Sequence, residues 1–236
     1  MTHASTPRQR ASGPIPLARP TPARLIKRRG RLLEFVCAYD FHNQYGELIF
    51  QKLRYRLVEG DGRDKELFYR QPRGERSWSP RKPWNADAYL YRLPDVLRAV
   101  RQGRAVWWVE GEKDADVARQ HGLIATSHHG GAGKVYPEQC RWLMGAAYVY
   151  VVADRDIPGY YDAACRLDGL MQYAGLAREQ IKVLRSPAGN DLADHYAAGL
   201  GRRDWRVVNE QRLREQAAQY SAQIAAQHGY GWIGAL

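Results

Sequence analysis

Arg104-Ala105-Val106-Trp107-Trp108-Val109 runs directly into Glu110-Gly111-Glu112-Lys113-Asp114, and Tyr148-Val149-Tyr150-Val151-Val152-Ala153 runs directly into Asp154-Arg155-Asp156-Ile157-Pro158-Gly159. Each apolar run is short and unbroken, as a strand buried on both faces requires. Each ends in acids. Between the runs, KDADVARQHG reads as a short helix stopped by Gly122, and residues 123–126 (LIAT) as a second strand. The loop SHHGGAGKV and a helix over about 137–145 follow. After the second acidic segment, Tyr160, Ala164, Leu167, Met171 and Ala174 step by four and three, which draws one helical face. Residues 181–184 (IKVL) read as a fourth strand and NDLADHYAAGL as a short helix. This alternation predicts an α/β fold: a parallel sheet of about four strands, right-handed crossovers, and helices on both faces.

Upstream the rhythm differs. LLEFVCAYDF, ELIFQKLRYRL and ELFYRQ read as strands, with the turn signal HNQYG between the first two. A small β-rich module over 32–99 is therefore expected before the parallel sheet at 100–200. Within it, Lys52, Arg54, Arg56, Arg73, Arg76, Trp78, Arg81 and Lys82 interleave cations with rings, a mixture suited to backbone phosphates and base stacking. Trp84 and Tyr55 are expected in the core. Residues 1–31 hold eight basic residues, five prolines and no acid, which predicts a disordered basic arm. The end of the chain, 201–236, reads as a helical extension. Leu213, Ala217, Tyr220 and Ile224 supply its apolar stripe over about 203–228.

Composition narrows the function. The chain has 236 residues, 36 Lys and Arg against 25 Asp and Glu, and a formal net charge of +11. That surplus suits a polyanionic partner, above all nucleic acid. Seven Trp and 15 Tyr exclude disorder throughout. No apolar run is long enough to span a membrane. Cys37, Cys140 and Cys165 are far apart and odd in number, which argues against a disulfide framework or a cysteine zinc site.

Ligands of open parallel sheets sit at the carboxyl ends of strands. If the two acid-ended strands are neighbours, Glu110, Asp154 and Asp156 converge there. An aspartate after a strand often only caps a helix or makes a turn. Two such segments, each after a fully apolar strand, point instead to an oxygen site for a hard divalent cation. The glycine loop 128–134 fails the P-loop pattern, with His128 for the first glycine and Val135 for Ser or Thr. Lys134 could still reach a phosphate from it.

Val109-Glu110-Gly111-Glu112-Lys113-Asp114-Ala115 and Asp154-Arg155-Asp156-x-x-Gly159 resemble the two signature motifs of the Toprim domain, found in bacterial-type primases, type IA and type II topoisomerases, and some nucleases. Tyr39-Asp40-Phe41 with Gly46-Glu47-Leu48-Ile49 and Arg54, Tyr89-Leu90-Tyr91-Arg92-Leu93, and Asn190-Asp191-Leu192-Ala193-Asp194 resemble flanking tracts of bacterial, phage and plasmid primases. The resemblance implies a metal-dependent nucleotidyltransferase of primase type. Glu110, Asp114, Asp154 and Asp156 would be catalytic, and Glu110, Asp154, Asp156 and Asp191 would hold Mg²⁺ or Mn²⁺. Lys113, Lys134 and Arg155 would meet nucleotide phosphates. Single-stranded DNA template and nucleotides are the implied partners, in the cytoplasm, in a nucleoid, phage or plasmid replication complex. Such primases usually carry an N-terminal zinc-binding module. Only the basic arm stands there in this sequence, so a separate zinc-binding recognition protein or a replicative helicase is a further expected partner. Asn190 also stands where a Lys is usual. A Toprim nuclease using water as nucleophile, and a non-catalytic nucleic-acid-binding adaptor, are the alternatives.

Overall fold

The computed structural model describes residues 21–59, 64–74 and 77–228. Its first half is an antiparallel meander in which each strand pairs with the next: β1 (Leu25–Arg28), β2 (Arg31–His42), β3 (Leu48–Leu57), β4 (Lys65–Arg73) and β5 (Ser77–Ser79). The β2–β3 register is fixed by its turn. Asn43 Oδ1 accepts from the Tyr45 and Glu47 amides, both at 3.0 Å, and Gly46 takes the left-handed φ of 84° that closes the loop. Strand β1 shortens the expected arm, because Leu25–Arg28 pairs with Arg31–Glu34. Residues 1–20, the bulk of that arm, lie outside the described residues.

The second half is built on a five-stranded sheet in the order β10-β9-β8-β6-β7. Strands β6 (Val106–Trp108), β7 (Ala125–Thr126), β8 (Val149–Val152) and β9 (Ile181–Arg185) are parallel neighbours. The fifth, β10 (Arg206–Val207), joins antiparallel to β9. Its two residues fall where the sequence pattern suggested helix. The helices are α1 (Leu93–Arg101), α2 (Glu112–Gln120), α3 (Pro137–Arg141), α4 (Ile157–Tyr173), α5 (Leu192–Ala197) and α6 (Glu210–His228). Helix α1 is an addition to the β-rich module expected here: Arg92 precedes it in a left-handed conformation with φ 57°, and Pro94 stands in its first turn.

Two cores lie on the two faces of the parallel sheet. One joins Val106, Trp108, Val149 and Val151 to α1, α3, α4 and Leu213 of α6. Most of the α4 stripe packs there, but Met171 is turned out. The other core joins Trp107, Val109 and Val152 to Tyr39, Phe41 and Phe50 of the meander. The side chains of β2 and β3 therefore anchor the meander beside the ends of β6 and β8. Tyr55 is core, whereas Trp84 is 94% exposed, against expectation. No described helix is long and apolar enough to cross a membrane.

Candidate active site

Between the meander and the carboxyl ends of the parallel strands lies a cleft of about 680 Å³. Glu110, Asp114, Asp154 and Asp191 line its floor, and Arg54, Lys65, Tyr69 and Lys82 line the opposite wall. Adjacency of β6 and β8 brings Glu110 and Asp154 together, close enough for each carboxyl group to shift the other's pKa. Gly159 makes this possible. A Cβ there would stand 2.6 Å from Asp154 Cβ and 2.8 Å from its carbonyl oxygen, so only glycine lets α4 start so close.

The floor is electrostatically strained. Burial, then the Glu110 and Asp114 charges, push Asp154 up to about 9. Burial, then Asp191, push Asp114 up to about 7, although Asp114 Oδ1 accepts from the Ala193 amide at 3.1 Å. Burial and then Asp162 raise Glu110, and its Oε2 is buried with no hydrogen-bond partner. The protein alone does not balance this negative charge. The donors are all hard oxygens, which fits a divalent cation of the Mg²⁺ or Mn²⁺ kind. Among the described residues, however, no group of three or more His, Cys, Asp or Glu is arranged to hold a metal ion as it stands.

Other acids have local duties. Asp156 is exposed and caps α4, accepting from Gly159 N at 2.7 Å, while its other oxygen accepts from the Asn190 amide at 3.3 Å. It is absent from the cleft lining. Asp191 caps α5 through Asp194 N at 2.7 Å, and its second oxygen faces Lys113 Nζ at 3.3 Å on the cleft wall. Both are the helix caps that an aspartate after a strand often supplies.

The cations divide likewise. Lys134 is exposed on the cleft rim with no side-chain partner among the described residues. Arg155 instead donates to the carbonyls of Pro187 and Gly189, at 3.1 and 3.0 Å, and latches that loop. Lys52 corrects the sequence reading most clearly. It is buried, with Nζ 2.8 and 3.0 Å from the two Glu112 carboxylate oxygens and 3.0 Å from the His129 carbonyl. All three donors are used, so it is not free for a phosphate. Arg56 is paired with Glu34 at 2.6 Å. Arg54 faces the cleft, Arg73 and Arg81 are exposed, and Trp78 lies under the Arg70 guanidinium at 4.1 Å. Arg76 lies outside the described residues.

Several residues here escaped the sequence reading. His129 Nε2 meets Asp87 Oδ1 at 2.7 Å, Lys82 Nζ meets the same oxygen at 3.0 Å, and the Tyr69 hydroxyl donates to the His129 carbonyl at 3.1 Å. Burial, against the pull of Asp87, holds the His129 imidazole down at about 4, so it is neutral at pH 7. No local spacing links residues 69, 87 and 129. Beneath the floor, Asp162 and Arg166 are fully buried one helical turn apart. Their i,i+4 spacing on the core side of α4 was the available signal.

No family model matches the chain, and no curated protein matches it. Solved structures do. The E. coli primase catalytic core aligns at TM-score 0.52 and 18% identity, covering 83% of this chain and 57% of that one. The Aquifex aeolicus primase (zinc-binding and RNA polymerase domains) aligns at 0.51 and 17%, covering 86% and 47%. A DnaG catalytic core aligns at 0.50 and 17%, covering 86% and 60%. At these identities the likeness is one of fold: the chain is primase-core-like, and it spans about half to three fifths of the chains it matches.

Proposed function

We propose that this chain is a nucleotidyltransferase of primase type that joins nucleotides on a single-stranded DNA template. The observation carrying the reading is the meeting of Glu110 and Asp154, with Asp114 and Asp191 beside them, on the floor of a cleft whose far wall is cationic and aromatic. A Toprim-like reading of the parallel sheet accords with the acids standing at the ends of adjacent strands.

In this reading Glu110 and Asp154 would hold Mg²⁺ or Mn²⁺, with Asp114 and Asp191 at its edge. Such an ion, when bound, neutralises phosphoryl oxygens and lowers the pKa of a nucleotide 3′-hydroxyl. Asp156 caps the start of α4, and its charge adds to the cluster at Glu110. Lys134 and Lys113 bind the triphosphate, and Arg54, Lys65, Tyr69 and Lys82 track the template on the opposite wall. Arg73, Arg81 and the exposed Trp84 extend that track along the meander. The 3′-oxygen attacks the α-phosphorus, the bond to the β-phosphate oxygen breaks, and pyrophosphate leaves. The Glu110 carboxylate, part of the cleft lining, is the group this reading assigns to take the hydroxyl proton.

Incubation with single-stranded DNA, labelled nucleotides and Mg²⁺ or Mn²⁺ tests the reading. Labelled oligonucleotides support it. A shortened template would assign the same acids to hydrolysis, and an unchanged template without product would leave a binding role only. Either result overturns the proposal.

A further inference from the structure

A charged pair lies directly behind the acidic floor. Arg166 is fully buried, and its guanidinium donates to the Trp108 carbonyl at 2.5 Å and to the Val152 carbonyl at 3.0 Å. Those carbonyls belong to the last residues of β6 and β8. Two residues further along each strand stand Glu110 and Asp154. One planar group therefore ties the ends of both acid-bearing strands to α4.

Its counter-ion extends the tie. Asp162, also fully buried, stands 2.8 Å from Arg166 as a charge contact rather than an aligned hydrogen bond. Its Oδ1 accepts from the Gly133 amide at 2.8 Å and lies 3.4 Å from His128 Nε2. Gly133 belongs to the glycine loop that carries Lys134 to the cleft rim. The loop is seated closely, since a Cβ on Gly133 would come within 2.2 Å of the Tyr161 ring.

Burying such a pair is expensive, and apolar residues of similar volume often stabilise a core as well or better. What apolar residues cannot do is hold two strand ends and a loop amide in one fixed geometry. Guanidinium is suited to the task because its donors form a rigid planar fork.

We propose that Arg166 and Asp162 are positioning residues, which set the separation of Glu110 and Asp154 and seat the Lys134 loop from behind the site. The inference rests on the proposed function, but part of its test does not. Arg166→Lys keeps the positive charge and loses the fork. Mn²⁺ binding is followed from the free-ion electron paramagnetic resonance signal, and backbone amide exchange by NMR, with circular dichroism as the check of folding. The expected result is at least a tenfold loss of Mn²⁺ affinity and at least tenfold faster exchange at the Gly133 amide, with the amides of α6 unchanged. Wild-type values for both overturn the inference. Should Arg166→Lys fail to fold, Asp162→Asn is read in the same way, because it is isosteric, removes the negative charge and turns one of the two acceptors that face Arg166 and Gly133 into a donor. Should the unaltered chain bind no Mn²⁺, the proposed function falls, and exchange at Gly133 alone decides the positioning role.

Discussion

Replacing Lys52 by Met should destabilise the protein far more than removal of a surface cation. The Lys52 and Glu112 side chains are 6% and 5% exposed, and the pair joins β3 of the meander to the first residue of α2. All three ammonium donors are satisfied, two by Glu112 and one by the His129 carbonyl. Methionine fills nearly the same space. It leaves a buried carboxylate without its counter-ion and a carbonyl without its donor. Stranding one member of a buried pair costs about 3–5 kcal/mol. For a chain of this size that is a fall in Tm of roughly 10 °C. The pair as a whole is worth much less, since its Coulomb gain is set against two desolvation costs. The double variant Lys52→Met, Glu112→Met should therefore recover at least about 2 kcal/mol of the single-variant loss. Urea unfolding of the wild type, both single variants and the double variant measures this. A Lys52→Met loss below about 1 kcal/mol, the size of an exposed pair, would refute the reasoning.

Three further outcomes are expected. Gly159→Ala should lower stability by about 1–3 kcal/mol and abolish turnover, because the new methyl displaces Asp154; denaturant midpoints and product formation check it. His129 has its pKa depressed to about 4, below its unfolded value, so the stability it contributes is complete above about pH 6.5 and is lost as pH falls through 4. The wild type should then lose roughly 2 kcal/mol more than His129→Gln between pH 7 and pH 4.5, by urea unfolding at each pH. Trp84→Ala should leave Tm unchanged while weakening single-stranded DNA binding, measured by fluorescence anisotropy, by about 1–3 kcal/mol, the worth of one base stacked on that ring.

What the sequence disclosed follows from which interactions are local. The strands at 106–108 and 149–152 were readable because a strand buried on both faces must be a continuous apolar run, and the strand at 181–185 because Ile181, Val183 and Leu184 are apolar although Lys182 is exposed. The acids after them were readable because a parallel sheet delivers its strand ends to one side. Lys52 was misread because a lysine on a strand of basic residues looks solvated until its partner 60 residues away is known. Trp84 was misread for the converse reason: ring size favours burial, but position in a loop decides it. Asp156 shows the ambiguity inherent in Asp-x-Asp, where one residue can face the cleft while the other caps the next helix. Helix α1 carries local signals, with Leu93, Val96, Leu97 and Val100 at helical spacing and Pro94 in its first turn, which the β-rich reading of 32–99 passed over, whereas β10 is two residues defined by their pairing with β9.

The central claim is that Glu110 and Asp154 together perform nucleotidyl transfer in the cleft. Its most direct test compares Glu110→Gln and Asp154→Asn with the wild type for nucleotide incorporation on single-stranded DNA at saturating Mg²⁺, with template affinity measured in parallel. The account predicts that each variant loses at least about a hundredfold in turnover while binding template as the wild type does. Incorporation at the wild-type rate by either variant, or loss of template binding in step with activity, would contradict it.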